Sequence, residues 1–160
     1  EILLPVLLDF PAPVLRSYPR ETVVAEKFQA MVDLGLANSR MKDFFDVAFL
    51  ARNFEFDGQQ VVDAVRATFE RRRTALPEQP PIALTQSFAE DPTKTTQWRA
   101  FLRRSGLPSG GTLATVVEDI AGFLLPVLAA ARTDRPWMAT WNAAGPWIEA
   151  PSESPRRRRS

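Results

Sequence analysis

The chain has 160 residues, 45% of them hydrophobic, with 20 Lys and Arg against 19 Asp and Glu for a net charge of +1; this is enough for one ordinary core and argues against disorder from end to end. Without the arginine run at 156–159, 16 basic face 19 acidic residues, a net of −3, so composition does not make the body a basic nucleic-acid-binding surface. Cysteine and histidine are both absent, which excludes disulfides, thiolate zinc sites, imidazole metal ligation and Ser-His-Asp or Cys-His catalysis.

The remaining toolkit of carboxylates, Lys, Arg and hydroxyls suits phosphoryl or nucleotidyl transfer, in which carboxylates hold magnesium and cations hold phosphates. No run of apolar residues reaches the roughly 20 that a bilayer crossing needs, which predicts a cytoplasmic protein with no membrane partner. Glu1 opens directly onto an apolar run with no start or targeting signal, and this reads as an internal cut.

Residues 2–10 are apolar with Pro5 inside, a pattern for a short edge strand or a bulged one, and Pro11 and Pro13 force an extended exit. A first helix is predicted from Pro19, with Glu21 and Glu26 in its N-terminal half and Gly35 closing it. Its buried stripe is Val24, Phe28, Met31 and Val32 with Leu34. The second starts with Asn38 or Ser39 as cap and runs to about Arg52, with Phe44, Val47, Ala48 and Ala51 on one side and Phe45 and Phe49 beside them. A third follows Asp57 and Gly58, carries Val61, Val62, Val65 and Phe69, and ends in the charges of 70–73.

Residues 75–85, with three prolines, read as a linker or an extended strap. Asp91 and Pro92 then signal a fourth helix holding Trp98, Phe101 and Leu102 and stopped by Ser105 and Gly106, and a fifth spans about 112–131. The segment from Pro136 has three tryptophans but no period, and is expected to lie against the helices before fraying. The fold class is thus α+β, predominantly α: one N-terminal strand followed by about five helices. It divides into 1–74, 75–150 as a helical C-terminal region, and a disordered basic tail at 151–160.

Charges cluster on the first two helices. Asp43 and Asp46 are three apart on one side of a helix and can present oxygens to one point; Arg40 and Asp43 share a stripe, and Lys42 and Asp46 are four apart. Such residues could organise a nucleotide-bound metal, or they could be surface pairs worth a few tenths of a kcal/mol. Lys27, between Glu26 and Phe28, is either a phosphate-binding ammonium on a long buried stem or a solvated lysine. The arginines at 71–73 and 156–159 either touch nucleic acid or are a solvated helix end and tail.

The sequence YPRETVVAEK at 18–27, a spacer, then RMKDFFD at 40–46, after the proline-rich exit from a strand, resembles the AbiEii/AbiGii toxin family of nucleotidyltransferases. The resemblance implies transfer of a nucleotide from an NTP, with Mg2+, to an acceptor such as the 3′ end of tRNA. It also implies a cognate antitoxin within a toxin-antitoxin or phage-defence pair. By the same resemblance Lys27 contacts the triphosphate, Asp43 is an essential residue of the site, and Arg40 and Lys42 add positive charge near the nucleotide. Asp46 and Glu26 are supporting residues. Family members open with a Gly-Ser motif and a D-x-D pair that holds the metal ions; neither occurs in the 160 residues. The matched region, about 2–147, therefore corresponds to the C-terminal half of a family member, with the main metal ligands expected outside it and this chain inactive alone. The alternative is a non-catalytic helical interaction module left after loss of the catalytic half.

Overall fold

The computed structural model describes residues 18–107 and 110–151. The expected strand at 2–10, Asp9 within it, and the arginine tail lie outside the described residues. Among the described residues six α-helices follow in order: α1 (Arg20–Leu34), α2 (Met41–Asn53), α3 (Gly58–Arg71), α4 (Gln86–Glu90), α5 (Pro92–Ser105) and α6 (Leu113–Ala131). They are joined by a three-stranded antiparallel sheet of β1 (Phe56–Asp57), β2 (Ala139–Trp141) and β3 (Trp147–Glu149), in that order. The predominantly α, α+β class holds.

Local chemistry sets the helix ends. Asp57, Asp91 and Thr112 accept from the backbone N–H groups of Gln60, Lys94 and Thr115, satisfying donors that the first turn leaves unpaired. Gly106 ends α5 in the left-handed conformation that a side chain disfavours. Pro19 stands just before α1 and Arg40 just before α2, one or two residues from the expected starts.

Val24, Phe28, Met31, Phe44, Val47, Val61, Val65 and Phe69 are buried as their periods require. Leu34, assigned to the same stripe, is instead 36% exposed, because it sits in the last turn of α1 where the chain leaves the core. Helix α6 is the hub: Val116, Ile120, Phe123, Leu124 and Val127 are sealed in one apolar cluster to which α1 to α5 all contribute. With 19 residues it is the one described helix long and apolar enough to cross a membrane, longer than the apolar run visible in the sequence, and it serves here as the core helix.

Two expectations need correction. The proline-rich stretch at 75–85 does not simply run as a strap: it closes in a 3-10 turn (Ile82–Leu84), and Thr85 then caps the five-residue α4, too short to show a period. The tryptophan-rich C-terminal segment does lie on the helices, but as β2 and β3, paired with β1 through Phe56↔Trp141 and Trp141↔Trp147. Phe123 of α6 gathers Phe56, Trp141 and Trp147 around its ring at centroid distances of 5.0, 4.8 and 5.6 Å. The indole N–H groups of Trp141 and Trp147 donate to the carbonyls of Ala51 and Phe123, so burial leaves neither donor unpaired.

Candidate active site

Helix α1 lays its apolar stripe on α3 and α2. Lys27 follows the buried Val23 and Val24 on that stripe, so its stem is carried inward and its side chain is only 10% exposed. The ammonium ends between the two carboxylates of α2, 3.0 Å from Asp43 Oδ1 and 3.0 Å from Asp46 Oδ2. Arg40, at the entrance to α2, places Nε 3.0 Å from Asp43 Oδ2 while its side chain stays 59% exposed. The result is a row of alternating charges, Arg40, Asp43, Lys27, Asp46, with no net charge.

The i, i+3 spacing of the two aspartates does bring both carboxylates to one point, and that point is Lys27 Nζ. They are buried, not surface pairs. Asp46 lies deepest: its side chain is sealed from solvent and Oδ1 has no hydrogen-bond partner. Burial pushes its carboxyl up to about 6, against the opposing pull of Lys27 and, more weakly, Lys42. For Lys27, burial alone would favour the neutral amine, but Asp46 and Asp43 outweigh it and its pKa is raised. Asp43 also sits in the first turn of α2, where the helix dipole favours a negative charge.

Above this row opens a cleft of about 140 Å³ lined by Val23, Glu26, Lys27, Ala30, Arg40 and Arg72. That volume holds roughly four or five waters, the scale of phosphoryl groups and not of a nucleoside. Arg72, just beyond α3, donates to Gln29 Oε1 at 2.9 Å and stands 3.9 Å from Glu26 Oε1. Arg71 pairs with the same Glu26 oxygen at 3.1 Å, and Tyr18 Oη donates to it at 2.6 Å. That hydrogen bond to Glu26 is the main reason the Tyr18 pKa is raised.

Of the residues singled out in the sequence, Glu26, Lys27 and Arg40 line one cleft, and Asp43 and Asp46 lie behind it. Lys42 is half-buried and does not line the cleft; its charge acts on Asp46. Arg72 joins the site although in sequence it is one of three successive arginines, and only the packing of α3 on α1 separates its role from that of its neighbours.

Magnesium is not accommodated by these residues. Among the described residues no three metal-capable side chains come together, and the oxygens that the aspartates turn toward the cleft are taken by Lys27 and Arg40. The remaining oxygen, Asp46 Oδ1, is shut away from it.

Residues 1–121 match the profile of the nucleotidyl transferase AbiEii toxin family, of type IV toxin-antitoxin systems. The chain belongs to this family. The match takes in every charge of the candidate site described above and ends inside α6. No curated protein and no solved structure matches the chain. As an AbiEii family member it belongs to a class of nucleotidyl transferase toxins whose systems include an antitoxin.

Proposed function

We propose that this chain supplies the phosphate-binding wall of an AbiEii-type site, which moves a nucleotide from an NTP to an acceptor such as the 3′ end of tRNA. The observation that carries this reading is the convergence of Lys27, Arg40 and Arg72, from three different helical segments, on one small cleft. Each of the three is already held by a partner within the chain, but all three still line the cleft, and the guanidinium groups of Arg40 and Arg72, which are largely exposed, suit the forked oxygens of a phosphate. Arg40 and Arg72 make the direct contacts, and Lys27 adds its field from the floor. Asp43 is a positioning residue that holds both Lys27 and Arg40, and Asp46 balances Lys27. Glu26 pairs with Arg71 and helps to hold Arg72 at the cleft. On this reading the 160 residues bind a triphosphate but do not transfer a nucleotide unaided.

A second reading has one observation in its favour. The row from Arg40 to Asp46 is charge-neutral and, Arg40 apart, buried, as it would be if it served helix packing alone in an interaction module. Calorimetric titration with inorganic tripolyphosphate, then with each NTP, separates the two. The nucleotide reading expects binding that weakens about tenfold, 1.4 kcal/mol, in Arg40→Ala and again in Arg72→Ala. Binding indifferent to both substitutions, or none by the folded wild type, would favour the packing module. Transfer of labelled nucleotide to tRNA by the chain alone would overturn the statement that it needs further groups.

A further inference from the structure

Lys94, on the first turns of α5, is 5% exposed, yet no carboxylate among the described residues pairs with it. Its Nζ donates to the backbone carbonyl of Asn38 at 2.8 Å and to Gln97 Oε1 at 3.3 Å, and lies 5.5 Å from the centre of the Phe88 ring. Burying an ammonium with only neutral partners is unfavourable, and an apolar side chain would pack there more cheaply. What the ammonium does that an apolar side chain cannot is grip Asn38.

Asn38 is itself fully buried, between α1 and α2, and its Oδ1 accepts the backbone N–H of Arg40 at 2.8 Å. Its own N–H donates to the carbonyl of Gly35. The loop is thus tied down at three successive points: Gly35 below, Lys94 from α5 at the side, and Arg40 above. Arg40 then turns its guanidinium onto Asp43 and the cleft. The side-chain amide nitrogen of Asn38 is buried without a partner, so the residue is retained there for what its oxygens do.

We infer that Lys94 is a positioning residue for Arg40, acting through Asn38, so that α5 sets the geometry of a phosphate cleft built by α1, α2 and the end of α3. The inference extends the proposed nucleotide reading and rests on it for the purpose of the device, but the link itself is a property of the folded chain.

Lys94→Met removes the ammonium while keeping the length of the side chain. Hydrogen exchange should accelerate about tenfold or more at the Arg40 amide, with the amides of Phe28 and Ile120 unchanged. Tripolyphosphate affinity should fall about fivefold in the wild-type background and hardly at all when Arg40→Ala is already present, because coupled residues are not additive. An unchanged Arg40 amide, or an equal loss of affinity in both backgrounds, overturns the inference. Wild type that binds no tripolyphosphate defeats the nucleotide reading, while the Arg40 amide still decides the role of Lys94. Should Lys94→Met fail to fold, the wild-type protein supplies the answer: a slowly exchanging Lys94 ammonium signal with a contact to Asn38 supports the link, and a rapidly exchanging one overturns it.

Discussion

Replacing Lys27 by methionine tests whether the row of buried charges is held together as the geometry says. Methionine keeps the unbranched stem but takes from Asp46 the ammonium 3.0 Å away and, of the two described cations on Asp43, leaves Arg40. Removing one partner of a buried ion pair costs about 3–5 kcal/mol, and a single substitution near 4 kcal/mol is a large share of an ordinary domain's stability. At roughly 2–4 °C per kcal/mol for a chain of this size, the melting temperature should drop by about 8–16 °C at pH 7.5. The cost must shrink in acid. Asp46, already raised to about 6 in the intact protein, takes up a proton below that pH, and a neutral carboxyl no longer needs Lys27. Urea unfolding followed by the fluorescence of the buried Trp98 and Trp141 measures both conditions. At pH 5.0 the penalty should fall to roughly half its value at pH 7.5. A loss below about 1 kcal/mol at pH 7.5, or a loss that is the same at both pH values, would refute the reasoning.

Asp46→Asn isolates the deepest charge. Because its folded pKa of about 6 lies above the unfolded 3.8, the native state binds more protons between those values; its favourable contribution is complete below pH 3.8 and is lost as pH rises through 6. The asparagine variant should therefore gain on wild type by roughly 3 kcal/mol between pH 3.8 and 7, and urea curves that shift in parallel across that range would contradict it. Gly145→Ala should cost about 2–4 kcal/mol, since the residue has φ of 72° and an added Cβ would stand 2.4 Å from the Trp141 ring; thermal melts read it, and a change under 1 kcal/mol would show that the ring yields. Arg52→Ala removes a bridge to Asp119 between side chains 37% and 40% exposed. It should change stability by less than about 1 kcal/mol, with the effect falling as salt is added.

The aspartate pair shows how far one-dimensional reasoning reaches. Their spacing fixes them on one side of α2, so the meeting of their carboxylates follows from helix geometry alone. What they meet does not. Lys27 is 16 residues away from Asp43, and the two touch only because α1 packs on α2. Whether such carboxylates face solvent, a metal or an ammonium is a matter of packing, and the buried ammonium between them is the outcome here. Arg72 and Lys94 carried no signal that sets them apart from other surface-type residues, since each is defined by a partner 43 to 56 positions away, and Asn38, legible only as a candidate cap, gave no sign of the lysine that holds its carbonyl.

By itself the sequence determined the five longer described helices and the family. Periods of 3.6 residues, the caps at Asp57, Asp91 and Thr112, and the stops at Gly35 and Gly106 act within a turn or two of chain, and so they can be read one window at a time. The motifs of 18–27 and 40–46 are local too, and the family match over 1–121 agrees with them. Only the tertiary structure decided the sheet and the site. β1 and β2 are two and three residues long and pair Phe56 with Trp141 across 85 positions, too short to show a period and too distant for any local rule. The cleft of Lys27, Arg40 and Arg72 and the sealed Asp46 likewise exist only once three helices have come together, because burial and charge pairing are properties of the space between elements and not of any one of them.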